Sequence, residues 1–93
     1  MADRASEIAG FLAQAGWGAA RRRHLAGDAS DRRYERLQRG ASTAVLMDNP
    51  PGGADDPVAF ASMARHLRAL GLSAPAILAE DLSRGFLLLE DLG

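Results

Sequence analysis

Two groups of residues in this chain have types and spacing that could do chemistry: an arginine-rich stretch around a small-residue turn, and three acids toward the C-terminal end. Gly27-Asp28-Ala29-Ser30-Asp31 runs directly into Arg32, Arg33 and Tyr34. Backbone N–H groups of such a turn, with the Ser30 hydroxyl, can approach phosphate oxygens. Arg32 or Arg33 can then supply the charge-assisted fork that phosphate favours. The same residues also suit a solvent-exposed hairpin turn, because Asp, Ser and Gly are what turns use. Asp81, Glu90 and Asp91 read first as loop solvation, since two-carboxylate chemistry needs a held geometry that spacing alone does not provide. His24 and His66 have no partner at ligand spacing, and the absence of cysteine removes disulfides, thiolate nucleophiles and cysteine-ligated zinc together. All 11 basic residues are arginine, so any mechanism that requires a lysine within these residues is excluded.

The elements that must position these groups follow from periodicity. Ile8, Phe11, Leu12 and Ala15 recur at helical spacing and predict a first helix from about 3 to 15, with Trp17 covering its end. A second helix is predicted over 57 to 70: Asp56 caps, Pro57 fits the first turn, Gly71 stops it, and Phe60, Met63, Ala64, Leu67 and Leu70 form an apolar stripe. Arg23 to Ala26 and Tyr34 to Arg39 read as strands on either side of the turn, and Thr43 to Met47 as a third, stopped by Asp48-Asn49-Pro50-Pro51-Gly52-Gly53. Ala76 to Glu80 and Phe86 to Glu90 predict a hairpin around Asp81 to Gly85. Helix, three strands, helix, two strands, with short turns between consecutive strands, is an α+β pattern with the second helix packed on one face of an antiparallel sheet.

With 93 residues, 47% of them hydrophobic, the chain has the composition of one soluble domain, residues 1–93, with a single thin core. At this size about 60 to 65% of the unfolded surface can be buried, too little for a deep two-lobed cleft. No apolar run reaches the 18 or so residues of a bilayer span, which together with the lack of cysteine predicts a cytoplasmic protein with no membrane partner. The net charge of −1 hides a local excess of +4 over residues 21–39. That stretch fits a solvated face, a small-molecule phosphate site or a nucleic-acid footprint. Nucleic acid is disfavoured, because Tyr34 alone is available to interleave with the arginines for base stacking.

Taken in order, Gly27-Asp28-Ala29-Ser30-Asp31-Arg32-Arg33-Tyr34, Val45-Leu46-Met47-Asp48-Asn49-Pro50-Pro51, Gly71-Leu72-Ser73-Ala74-Pro75 and Gly85-Phe86-Leu87-Leu88-Leu89-Glu90-Asp91-Leu92-Gly93 resemble the opening third of the aminoglycoside phosphotransferase and choline kinase superfamily. Within it, the pattern is most similar to bacterial cell-wall sugar kinases that phosphorylate N-acetylmuramate and N-acetylglucosamine at the anomeric position. The resemblance covers about Ile8 to Gly93. It implies a protein-kinase-like N-terminal lobe: a five-stranded antiparallel sheet with one packed helix, plus the N-terminal helix, covering ATP.

On that resemblance the turn with Ser30 and Asp31 lies near the phosphates, the second helix is the lobe's regulatory helix, and Glu90, Asp91 and Leu92 form the hinge that reads adenine through main-chain groups. Leu25, Val45 and Leu88 are the implied apolar walls. The superfamily's third-strand lysine, paired with a helix glutamate, has no counterpart, since Met47 stands there and residues 57–70 hold no acid. Arg33 or Arg36 is the substitute on grounds of charge. The nucleotide contacts expected from this resemblance are therefore Ser30, Asp31, Arg33, Val45, Met47, Glu90, Asp91 and Leu92, with no catalytic or metal ligand. The Mg2+ ligands and the catalytic aspartate are expected in a C-terminal catalytic lobe absent from residues 1–93, so no turnover is expected from this chain alone. The acceptor is expected to be a small molecule, a sugar first. The competing expectation is a non-catalytic binding module or orphan lobe that uses residues 21–39 on phosphate-bearing partners.

Overall fold

Asp3 and Asp56 open the two helices in the same way. Asp3 accepts the Ser6 N–H at 2.8 Å at the start of α1 (Arg4–Gln14). Asp56 accepts the Val58 N–H at 2.9 Å at the start of α2 (Pro57–Ala69), where Pro57 occupies the first turn. The computed structural model describes residues 3–25, 32–52 and 56–92. Its strands are β1 (Arg21–Leu25), β2 (Arg33–Arg39), β3 (Ser42–Asp48), β4 (Ile77–Asp81) and β5 (Phe86–Glu90), in the order along the chain that the sequence predicts. They form one antiparallel sheet ordered β1-β2-β3-β5-β4, so the chain leaves β3, passes through α2 and returns to the far edge before β5 inserts beside β3.

Because successive strand residues point to opposite faces, the pairing sorts every side chain to one side or the other. Leu37, Ala44, Leu46, Phe86 and Leu88 meet Ile8, Phe11 and Leu12 of α1, with Trp17 closing the end of that helix. Met47, Leu87 and Leu89 lie on the other face under Ala61 of α2, flanked by Tyr34, Val45 and Phe60. The sheet is thus the middle of three layers, with one helix packed on each face.

Two elements differ from the sequence expectation. The apolar stripe of α2 is rotated: Pro57, Ala61 and Ala64 are buried, whereas Met63 and Leu70 are 59% and 61% exposed. Small side chains let the helix backbone approach the sheet, and the bulkier residues are left at its sides and outer surface. β1 begins two residues earlier than predicted, at Arg21, and the predicted Ala26 lies outside the described residues. An edge strand whose first four residues are all exposed has no apolar alternation to announce it.

Candidate functional site

On the α2 face Met47 of β3 and Leu87 and Leu89 of β5 are buried with Ala61, and Tyr34 of β2 packs against them, whereas Arg21 and Arg23 of β1 and Gln38 of β2 are exposed, so this part of the face is open. Register rows show what lines the open part. Arg23, Arg36, Val45 and Leu89 form one row across β1, β2, β3 and β5; Leu25, Tyr34, Met47 and Leu87 form the next row, at the end of the sheet where β1 stops and β2 begins. Val45 and Leu25 are half-buried, while Met47 is fully buried among Tyr34, Phe60 and Ala61. The position after β5 is tied into the same surface: Arg36 Nε lies 3.1 Å from Asp91 Oδ2, and the Asp91 side chain is only 10% exposed.

Glu90 is held by other partners. Its N–H donates to the Ala76 carbonyl at 2.8 Å, its carboxylate accepts the Ala76 N–H at 3.2 Å, and Arg68 of α2 stands 3.5 Å from the same oxygen. Leu92 is exposed. Of the residues singled out from sequence, the structure therefore brings together Val45, Arg36 and Asp91, with Met47 in the neighbouring row and Glu90 and Leu92 flanking Asp91. Ser30 and Asp31 lie outside the described residues.

Strand parity separates two others. Arg33 pairs with Asp48, which in turn pairs with Phe86, and that row belongs to the α1 face: Arg4 of α1 donates to Asp48 and its guanidinium lies 4.4 Å from the centre of the Phe86 ring. Arg33 thus projects from the opposite side of the sheet to Val45 and Met47. Leu88 is likewise packed in the α1 core, so Leu25, Val45 and Leu88 do not form one wall; Leu89 is the β5 side chain that shares the row of Val45. Arg32, offered beside Arg33 for the phosphate fork and then left aside for Arg33 or Arg36, lies instead on the α2 face. The Arg32 guanidinium stands 5.2 Å from the centre of the Phe60 ring, and its Nη1 is 3.3 Å from the Tyr34 hydroxyl. Two-residue parity with Tyr34 was the available signal.

Other arginines of the basic stretch are structural. Arg22 grips Glu35 with two bonds of 2.6 and 3.0 Å, a hydrogen-bonded pair that raises the Arg22 pKa above its usual value. Arg39 donates to the Gly16 carbonyl at 2.7 Å and lies 4.1 Å over the Trp17 ring. A shallow concavity between α1 and β4, lined by Phe11, Gln14, Ala79 and Ser83, belongs to the opposite face. Among the described residues, no cluster of three acidic or histidine side chains could hold a metal ion, and no helix is long and apolar enough to cross a membrane.

The surface therefore combines a half-buried apolar row, arginines on the flanking strands and a fixed exit segment after β5. The family model described as the phosphotransferase enzyme family matches residues 21–93, from the first residue of β1 through that exit segment. The chain belongs to the phosphotransferase enzyme family. Membership accounts for β1 to β5 and α2, whereas α1 precedes the matched region. Three similar proteins are each named N-acetylmuramate/N-acetylglucosamine kinase. The one from Caulobacter vibrioides is 38% identical over 117 aligned positions, covering 98% of this chain and 32% of that protein. The one from Pseudomonas aeruginosa is 45% identical over 86 positions, covering 89% of this chain and 25% of that protein. The one from Pseudomonas putida is 44% identical over 66 positions, covering 71% and 19%. The chain thus spans a third or less of the length of these relatives. The match to the Caulobacter protein, unlike the family model, takes in α1.

Proposed function

We propose that residues 1–93 are the nucleotide-binding lobe of a small-molecule kinase, which passes the terminal phosphoryl group of ATP to a hydroxyl of an amino sugar. The observation that carries this reading is the open part of the α2 face. A flat base requires apolar contact, and half-buried Val45 and Leu25 offer it; it also requires main-chain groups held at a fixed place, and Glu90 to Leu92 follow a strand anchored on both sides. The names of the relatives point to the amino-sugar acceptor.

The reading assigns the magnesium ligands and the base that orients the acceptor hydroxyl to the portion of the relatives that this chain does not span. The competing reading is a binding module or orphan lobe that uses residues 21–39 on phosphate-bearing partners. Among the described residues, Arg22, Arg36 and Arg39 are engaged with Glu35, Asp91 and the end of α1, which leaves fewer arginines for such a partner.

The test is a titration of the isotope-labelled 93-residue chain with ATP, ADP, adenosine and N-acetylglucosamine, followed by amide chemical shifts. Saturable shifts with ATP, centred on Val45, Leu89 and Glu90 to Leu92, are expected. Shifts centred on the α1 face, or none with any nucleotide, would overturn the assignment.

A further inference from the structure

A nucleoside triphosphate carries three to four negative charges at neutral pH, so a lobe that binds one needs a fixed cation beside the base site. The sequence has no lysine, and strand parity narrows the arginine choices. Arg22, Arg33 and Arg39 share rows with residues of the α1 face. Arg36 is tied to Asp91 in the Val45 row, where the base would stack. Arg21 and Arg23 stand on the edge strand, in the rows of Thr43 and Val45 and so toward the exit-segment end of the sheet. Among the described arginines, Arg32 alone precedes the Tyr34–Met47 row, at the end of the sheet where β2 begins.

From this placement we infer that Arg32, seated on Phe60, is the residue that receives the nucleotide's polyphosphate. The inference rests on the nucleotide-binding reading given above. The burial of Met47 explains why the cation is displaced from β3. With 0% exposure beneath Tyr34, Phe60 and Ala61, position 47 could not hold a charge without stranding it in an apolar layer. Phe60 closes that layer, and the face of its ring carries the half-buried guanidinium, 5.2 Å from the ring centre. The Tyr34 hydroxyl, 3.3 Å from Nη1, restricts rotation of the group. A planar fork fixed on an aromatic platform suits two phosphate oxygens at once, which a lysine ammonium would not reproduce.

Three single variants of the 93-residue chain test this: Arg32→Ala, Arg32→Lys and Arg33→Ala. Each is first checked for a native amide spectrum and then titrated with ATP and with adenosine. Arg32→Ala is expected to weaken ATP binding about tenfold or more while leaving adenosine within about twofold, the signature of a lost charge-assisted contact to phosphate. Arg32→Lys should recover only part of that loss, and Arg33→Ala should leave both ligands within about twofold. Equal losses for Arg32→Ala and Arg33→Ala, or a loss for Arg32→Ala that is the same for adenosine as for ATP, would overturn the assignment of Arg32 while leaving the lobe a nucleotide binder. A wild-type chain that binds neither ligand would instead remove the nucleotide reading, and this inference with it.

Discussion

A methyl group placed on Gly85 would collide with the carbonyl of Asn49 and come within 3.2 Å of Pro51 Cδ, and the residue has φ +80°. The contact exists because the Asn49 N–H donates to the Gly85 carbonyl at 2.8 Å, fastening the turn before β5 to the chain leaving β3. Gly52 has nearly the same backbone, φ +84°, but open space around it. Gly85→Ala should therefore cost about 3 kcal/mol, and Gly52→Ala about 1 kcal/mol for the left-handed backbone alone. Urea unfolding midpoints compare the two directly, and equal losses would show that the turn shifts to relieve the clash. The same scale shows where the site was hard to read from sequence. Arg32 and Arg33 are chemically identical neighbours, and what separates them is the register of β2, in which Tyr34 faces α2. Leu88 and Leu89 pose the same problem in a strand of four consecutive apolar residues, because a strand buried on both faces has no polar residue to mark which side is which.

At the scale of elements, α2 is attached to the sheet by few groups. Alanines make its closest approach, while Arg65 pairs with Glu80 on β4 and Arg68 reaches both the Ala74 carbonyl, at 3.0 Å, and Glu90 at the end of β5. The helix thus contributes the cations and the strands the acids. Exposed pairs of this kind are worth about 1 kcal/mol or less, so Arg68→Ala should barely move the unfolding midpoint. Its expected effect is positional: amide shifts at Ala74, Ala76 and Glu90, read in a two-dimensional spectrum, with shifts confined to the helix being the contrary result. The existence and order of all seven elements were legible from helix caps, periodicity and turn residues. The face presented by α2 was legible only in part: Phe60 and Ala64 of the expected stripe do face the sheet, but Ala61 gives a weak hydrophobic signal beside Met63 and Leu70, which are exposed. A narrow contact made by small residues is set by how closely the backbone can approach the sheet, which residue hydrophobicity does not report.

For the whole molecule, a single sheet with a helix on each side leaves a thin core, and the N-terminal helix, packed on it through Ile8, Phe11 and Leu12, is further tied to it by ion pairs. Arg4 binds Asp48, Glu7 accepts from Arg84 Nε at 3.0 Å, and Arg84 Nη1 donates to Asp81 at 2.9 Å. Asp81 also accepts the Ser83 hydroxyl at 2.8 Å, and that bond, followed by the Arg84 contact, lowers its pKa from the ordinary 3.8. A carboxyl depressed in the native state stabilises the fold above the unfolded-chain value, and that contribution disappears as pH falls through the lower native value. Asp3, lowered mainly by the Ser6 N–H at the start of α1, acts with the same sign. Acid should therefore weaken the fold over the window from about pH 4 downward, where protonation of Asp81 removes its bonds to Ser83 and Arg84, the arginine that also holds Glu7 of α1. Trp17, the single tryptophan, is buried at the end of that helix and reports the change without a label. Urea midpoints followed by Trp17 fluorescence at pH 7 and pH 3 are expected to drop in the wild-type chain and to drop less in Asp81→Asn, which lacks the titrating group. The same drop in both proteins would place the acid sensitivity on other carboxylates and remove Asp81 from the fastening of α1.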